Sequence, residues 1–282
     1  MLLRYGFSDR QMRRVLSQMS IDSRTHDIGM TIPVVGSNIN ERRARFLKSV
    51  SHDRFEIAVH GFTHKDFSGI SEEQLKEDVR RAKKAFEAYG FSPTGYRAPY
   101  LRSGRGLLRI LSELGFTYSS SVTKVSDHSM SENKILLERC DEIALEVYGT
   151  HPTTAETITD RIENGIIEIP VSLPDDEILI DRVGINDDAM LTSILEDIVH
   201  ESFKLNSYAV IQIHPERYPI FRNALLSMRE EMKRDSGVHF ISLTELSKHL
   251  RSQIPQSDDI GKRKFISITG DLDIMSLRDL LR

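Results

Sequence analysis

A single cysteine, Cys140, stands among the 282 residues, so no internal disulfide can staple the chain, and a reducing compartment is expected. Long apolar runs are missing as well. None approaches the roughly 20 residues that cross a bilayer. The first residues, MLLRYGFSDRQMRR, are charged almost at once, where a secretory leader needs an apolar core. The expectation is a cytoplasmic protein with no membrane span. An excess of positive charge is also absent, since 38 Lys and Arg face 42 Asp and Glu for a formal net charge of −4. A broad nucleic-acid surface needs clustered cations, yet here bases and acids interleave, as in EEQLKEDVRRAKKAFEAYG. That pattern reads as a solvated helix face and argues against nucleic acid as a partner. No low-complexity stretch or short repeat is visible.

What is there is a globular composition, 39% hydrophobic and 28% charged, long enough for one large α/β domain or two small ones. Apolar runs alternate with helical patterns. IGMTIPVV, FEIAVH, TGYRAPY, FTYSSS, IIEIPVSLP, YAVIQIH, VHFISL and KFISIT read as strands. Between them lie amphipathic stretches such as ERRARFLKSV and LTSILEDIVHESFKL. Ser71 is a plausible cap for the helix that ends at Tyr89, with Gly90 closing it. The segment from about Ser126 to Asn164 reads as irregular. Repeating strand-then-helix units predict a parallel sheet, doubly wound or closed as a barrel, with chemistry on loops at the strands' C-terminal ends. His60, Arg97 and His214 each end a strand, and Asp271 follows one.

His60 and His64 form H-x-x-x-H. Imidazoles four apart on one helical turn face the same way and can reach one metal ion. Two surface histidines by coincidence is the plain alternative in a chain with 10 of them. Arg97-Ala98-Pro99-Tyr100 is a rigid turn, because Pro99 fixes its own φ and pushes Ala98 toward extended geometry. It could equally be structural. His214, at the mouth of an α/β core, is a natural general acid or base, or simply a satisfied strand-end histidine.

Together these segments carry a resemblance. VHGFTHKDF, GYRAPY, IEIPVSLPDD and IQIHPE stand in the order of the motifs of the polysaccharide deacetylase family, the NodB-homology group or carbohydrate esterase family 4. The likeness runs from about Gly6 to Leu246. It implies an α/β fold of the distorted, seven-stranded, TIM-like (β/α) barrel type. The family domain normally opens with a strand ending in two aspartates, one the catalytic base and one a metal ligand. The N-terminus here begins after that strand. At the other end, KFISITGDLDIMSLRDLLR resembles the missing segment, with Asp271 and Asp273 in the two positions. In a closed barrel the last strand lies beside the first. The expectation is therefore a circular permutation of one domain, with a main barrel over 1–252 and residues 264–282 supplying the first motif. An acidic tail with a chance G-D-x-D, or a tail that completes a neighbouring subunit, are the alternatives.

By this resemblance, His60, His64 and Asp273 would hold a divalent metal, zinc first, with cobalt or manganese next. Asp271 would act as base, Arg97 would orient it, the Tyr100 N–H would meet the oxyanion, and His214 would protonate the leaving amine. Asp175 or Asp176 would orient His214 or touch substrate, and Pro99 would line the substrate site. The implied partner is an N-acetylated sugar or glycan, and the implied activity is metal-dependent N-deacetylation. Homo-oligomerisation is left open. The family's tryptophan after P-V-S is missing, because the chain has no Trp, so one wall of the sugar site must differ. A sugar-binding relative without catalysis, or a metal-dependent amidohydrolase acting on a non-sugar amide, are the competing readings. The PERYP segment, Pro215 to Pro219, has no assigned role.

Overall fold

The computed structural model describes residues 8–125, 128–129, 131–148, 162–205, 208–253, 263–277 and 279. Strands β1 (Met30–Val34), β2 (Phe55–Val59), β3 (Gly95–Tyr96) and β4 (Tyr118–Ser119) pair side by side in parallel. All five residues of β1 are buried. Burial on both faces explains the continuous apolar run, where a half-exposed strand would alternate. The sheet continues through β7 (Ile166–Glu168), which forms an antiparallel hairpin with β6 (Ile162–Glu163). Short β5 (Thr123–Lys124) and β8 (Val171–Ser172) pair separately.

The C-terminal strand β11 (Lys264–Thr269) decides the shape. One edge pairs along its length with β9 (Tyr208–Gln212), from Phe265↔Tyr208 to Thr269↔Gln212. Its other edge pairs with β10 (Val238–Phe240) at the start and with β1 at the end, through Met30↔Ile268 and Thr31↔Thr269. All these pairings are parallel, and β11 thus joins the two halves of the chain in one curled sheet. Between the β5–β8 pair and β9 the join is made by side chains. The Val210 N–H donates to Ser172 Oγ at 3.2 Å, and Lys124 Nζ donates to the Tyr208 carbonyl at 2.9 Å.

Helices cover the sheet: α1 (Arg10–Thr25), α2 (Glu41–Val50), α3 (Glu72–Ala88), α4 (Leu107–Glu113), α5 (Lys134–Tyr148), α6 (Asp188–Leu205), α7 (Tyr218–Met232) and α8 (Leu243–Gln253). Ser71 caps α3 in a full capping box with Gln74, and Gly90 follows with a φ of 71°. No helix among the described residues is long and apolar enough to cross a membrane.

Several sequence readings change. The segment read as irregular contains α5, whose buried Leu137, Cys140, Ala144 and Tyr148 recur at three- and four-residue spacing, a weak stripe among many charges. IIEIPVSLP is not one strand but two short ones, separated by Ile169 and Pro170. The PERYP loop is the entry to α7, with Pro219 in its first turn, where a missing N–H costs nothing. Part of the expected final helix, SLRDLL, lies outside the described residues.

Candidate active site at the strand ends

The tail after β11 stays extended against β1. The Gly270 N–H donates to the Thr31 carbonyl, the Leu272 N–H donates to the Pro33 carbonyl at 2.8 Å, and Leu272 bridges Val34. Alternation along such a segment sends successive side chains to opposite faces. Leu272 is buried on one face, and Asp271 and Asp273 share the other. Gly270 is required because a Cβ there would stand 2.2 Å from the Ile213 carbonyl oxygen.

His60 follows β2 directly. Its Nδ1 lies 3.0 Å from the Arg97 carbonyl, which fixes the ring and turns Nε2 toward the carboxylates. Nε2 is 3.4 Å from Asp273 Oδ1 and 3.7 Å from Asp271 Oδ2. His64 Nε2 is 3.3 Å from the same Asp273 oxygen. The two histidines are not on a helical turn, as their spacing suggests. They flank a loop that turns at Gly61, φ 70°. Asp78 of α3 holds this loop by accepting from the Phe62 N–H at 2.7 Å and from the Thr63 N–H and hydroxyl. Nothing in the spacing of Asp78 from the histidines marks it, and the fold alone reveals its role.

His60, His64 and Asp273 each offer one ligand atom, and the three atoms lie within 4.8 Å of one another. His60 Nε2 and Asp273 Oδ1 are buried without a hydrogen-bond partner. Buried polar atoms are normally paired, so two orphans facing each other suit a bound cation. Two imidazole nitrogens and a carboxylate oxygen are donors for zinc, and cobalt or manganese accept the same set. The electrostatics agree. Burial alone would raise the Asp273 carboxyl, yet His60 and His64 hold it well below the usual carboxylate range. Burial would lower His60, and the charges of Asp271 and Asp273 push it up instead.

Arg97 follows β3 and is fully buried. Its Nη1 donates to Asp271 Oδ1 and Thr269 Oγ1, both at 2.9 Å, while Nε and Nη2 donate to the Ser120 carbonyl and hydroxyl. The guanidinium is therefore clamped from the ends of β4 and β11 before it orients Asp271. Gln212 of β9 also reaches Arg97 Nη1 with its carbonyl oxygen, at 3.2 Å. Tyr100 has a φ of 59° and ψ of 15°, in the left-handed region that tyrosine rarely visits. Its ring centroid lies 4.5 Å from that of His64.

His214 stands two residues beyond β9, on the same face of the chain as Gln212. Asp176 holds it twice, accepting from the His214 backbone N–H at 2.7 Å and lying 2.8 Å from Nδ1. Burial would lower the imidazole's pKa, but the Asp176 carboxylate and then Glu216 raise it well above the ordinary histidine value. Arg217 stands 3.5 Å from Asp176 and pairs with Asp181 at 2.6 Å. Arg217 and Glu216 lie inside the unassigned PERYP segment, so its role is to surround the His214–Asp176 pair with charge.

Three residues expected at the substrate site, Asp175, Asp176 and Pro99, are buried. Asp175 is buried, accepts from Tyr148 Oη and from the Ile178 N–H, and has its carboxyl pushed up to about 6 by burial and by the charge of Asp176. Its oxygens are used inside the protein. Asp176 is equally buried and orients His214 rather than facing substrate. Pro99 is buried too and serves the turn. The groups that do line the adjoining cavity, about 480 Å³ in volume, include His64, Tyr100, Tyr148, His214, Asp271 and Asp273.

Known proteins share the fold and part of the sequence. The family model for polysaccharide deacetylase matches residues 6–119. That stretch of the chain is similar to the polysaccharide deacetylase family. No curated protein matches it. Among solved structures, the allantoinase Puue superposes with a TM-score of 0.57 at 18% identity, covering 86% of this chain and 73% of that one. A protein described as a probable polysaccharide deacetylase from Pseudomonas aeruginosa PAO1 gives 0.55 at 18% identity, with the same 86% and 73%. At such identity these two likenesses speak for the fold: a curled α/β half-barrel shared with deacetylase structures.

Proposed function

We propose that this chain is a metal-dependent hydrolase that removes N-acetyl groups from an amino sugar or polysaccharide intermediate. The carrying observation is the convergence of His60, His64 and Asp273 beside the Arg97–Asp271 pair and His214, at the wall of one cavity. His60, His64 and Asp273 would hold a divalent ion, zinc by preference. When bound, such an ion supplies Lewis-acid polarisation of an acetyl carbonyl and acidifies a water. Asp271, held by Arg97 at 2.9 Å, takes a proton from the attacking water as general base. The Tyr100 backbone N–H donates to the developing oxyanion. His214 has Nδ1 engaged by Asp176, and its Nε2, 3.4 Å from the Gln212 amide nitrogen, protonates the departing amine. Its raised pKa keeps that proton available near neutrality. The test is acetate release from N-acetylglucosamine oligomers by the metal-loaded protein, lost on chelation and restored by zinc. No release from any such substrate sinks the sugar assignment.

A second reading rests on the likeness to an allantoinase. An amidohydrolase acting on a non-sugar amide would use the same base, acid and metal ligands. Absence of the tryptophan leaves the wall that selects sugars altered. A panel of cyclic and linear amides run beside the sugar oligomers separates the two.

We further propose that the chain order is a circular permutation of the family order within one domain, 1–282. The support is the placement of β11 between β9 and β1 with Asp271 and Asp273 at its end. Moving residues 263–282 ahead of residue 8 through a short linker should give a folded protein with the same metal content. Permutation is tolerated where ends lie in exposed connections. A reordered chain that cannot fold, despite several linker lengths, counts against it.

A further inference from the structure

A second cavity, about 220 Å³, opens at the opposite end of the sheet from the metal cluster. Basic groups reach it from four separate elements: Arg54 before β2, Arg229 and Lys233 at the end of α7, His249 on α8, and Arg263 before β11. One acid, Asp27, lines the same space, and Arg54 takes it up at 2.7 Å. Arg229 is 7% exposed. Its Nη1 pairs with Glu230, but its Nε is buried with no hydrogen-bond partner. A buried guanidinium N–H without an acceptor costs stability unless a ligand fills the place. One wall is aromatic, with the Phe265 ring stacked on His249 at 4.8 Å and lying 6.0 Å from His239. Burial first, and then the nearby Arg263 charge, depress the His249 pKa.

We propose that this cavity binds a phosphate monoester. A guanidinium fork matches phosphate oxygens, and Lys233 supplies a second, point-like charge for a dianion. The His239 and His249 rings that flank the buried Phe265 offer aromatic surface for the organic group of the ester. Because β11 runs from this cavity to the metal site, and six extended residues span roughly 20 Å, the ligand does not touch the reacting atoms. The cavity is a separate binding site, independent of the hydrolase reading.

Isothermal titration of the full-length protein with phenyl phosphate, inorganic phosphate and chloride tests it. Phenyl phosphate should saturate with a dissociation constant of about 1 mM or tighter, with inorganic phosphate weaker and chloride silent. Arg229→Met should abolish binding, but it removes a buried charge and can unfold the chain. Lys233→Ala and Arg263→Ala alter exposed side chains instead. Each should weaken phenyl phosphate about tenfold, or 1.4 kcal/mol, at an unchanged melting temperature. Binding must persist in Asp273→Ala, which separates this cavity from the metal ligands. Failure of phenyl phosphate to saturate, wild-type affinity in both exposed variants, or loss in Asp273→Ala overturns the proposal. Equal affinity for inorganic and phenyl phosphate overturns the monoester assignment.

Discussion

The two ends of the sheet treat half-buried carboxylates in opposite ways. At the start of β2, Glu56 has both oxygens filled. Oε1 accepts from the Tyr118 and Thr244 hydroxyls at 2.7 and 2.6 Å, and Oε2 accepts from the Thr31 hydroxyl and the Thr244 N–H at 2.9 and 3.0 Å. At the end of β11, Asp273 Oδ1 has only two imidazole nitrogens nearby and no hydrogen bond. A carboxylate supplied with donors is a structural tie. One stripped of them, beside the orphaned His60 Nε2, is poised for a ligand that the side chains alone do not provide. The contrast predicts that substitutions at one end damage activity and those at the other damage stability.

The largest effect should come from Asp271→Asn, which removes the proposed base while keeping the Arg97 contact. Acetate release should fall about a thousandfold with metal content and melting temperature preserved. A fall of less than tenfold would assign the base elsewhere. Next, Asp273→Ala should weaken zinc binding at least about a hundredfold, read by metal analysis after dialysis, without lowering the stability of the metal-free protein. If Asp273→Ala melts well below the metal-free wild type, its carboxylate is a tie like Glu56 and the contrast fails.

Glu56→Ala should do the reverse. It strands four donors and should cost about 2 kcal/mol in denaturant unfolding, with activity per folded molecule retained. Gly270→Ala lies between the two classes. Its Cβ would press on a backbone carbonyl, so we expect about 1–3 kcal/mol of destabilisation together with displaced aspartates and weakened metal binding. Full metal content in a stable Gly270→Ala protein would contradict the close approach of β9 and the tail.

The smallest effect concerns pH. Asp176 raises the His214 pKa against the burial that would lower it. The acid form therefore persists above the ordinary histidine value, and the rate falls as pH rises through the folded-state pKa. The stabilisation linked to that proton is complete below the ordinary value and is lost over the same rise. Asp176→Asn should move the basic limb of the rate to lower pH. An unmoved limb would show that a group other than His214 sets it.

Parts of this were legible in the residue order. Strand runs ending on His60, Arg97 and His214, and the D-L-D alternation after KFISIT, mark candidate residues that the fold brings close together. Other parts left no local mark. Asp78, Ser120 and Thr269 are ordinary residues whose importance comes from what folds against them. Helix α5 was missed because its apolar stripe is diluted by charge, and helical structure there depends on packing more than on pattern. The helical reading of His60 and His64 failed because their spacing ignored Gly61, whose left-handed φ breaks any turn of helix.

What the chain determined by itself was chemistry and periodicity: which residue types stand at strand ends, and which aspartates share a face once the tail is extended. Only the tertiary structure decided that these groups meet. Arg97 and Asp271 lie 174 positions apart, and no local preference links them. The parallel register of β11 against β1 and β9 sets the pair, because a slip of one residue would turn both aspartates away and drive Leu272 into the site.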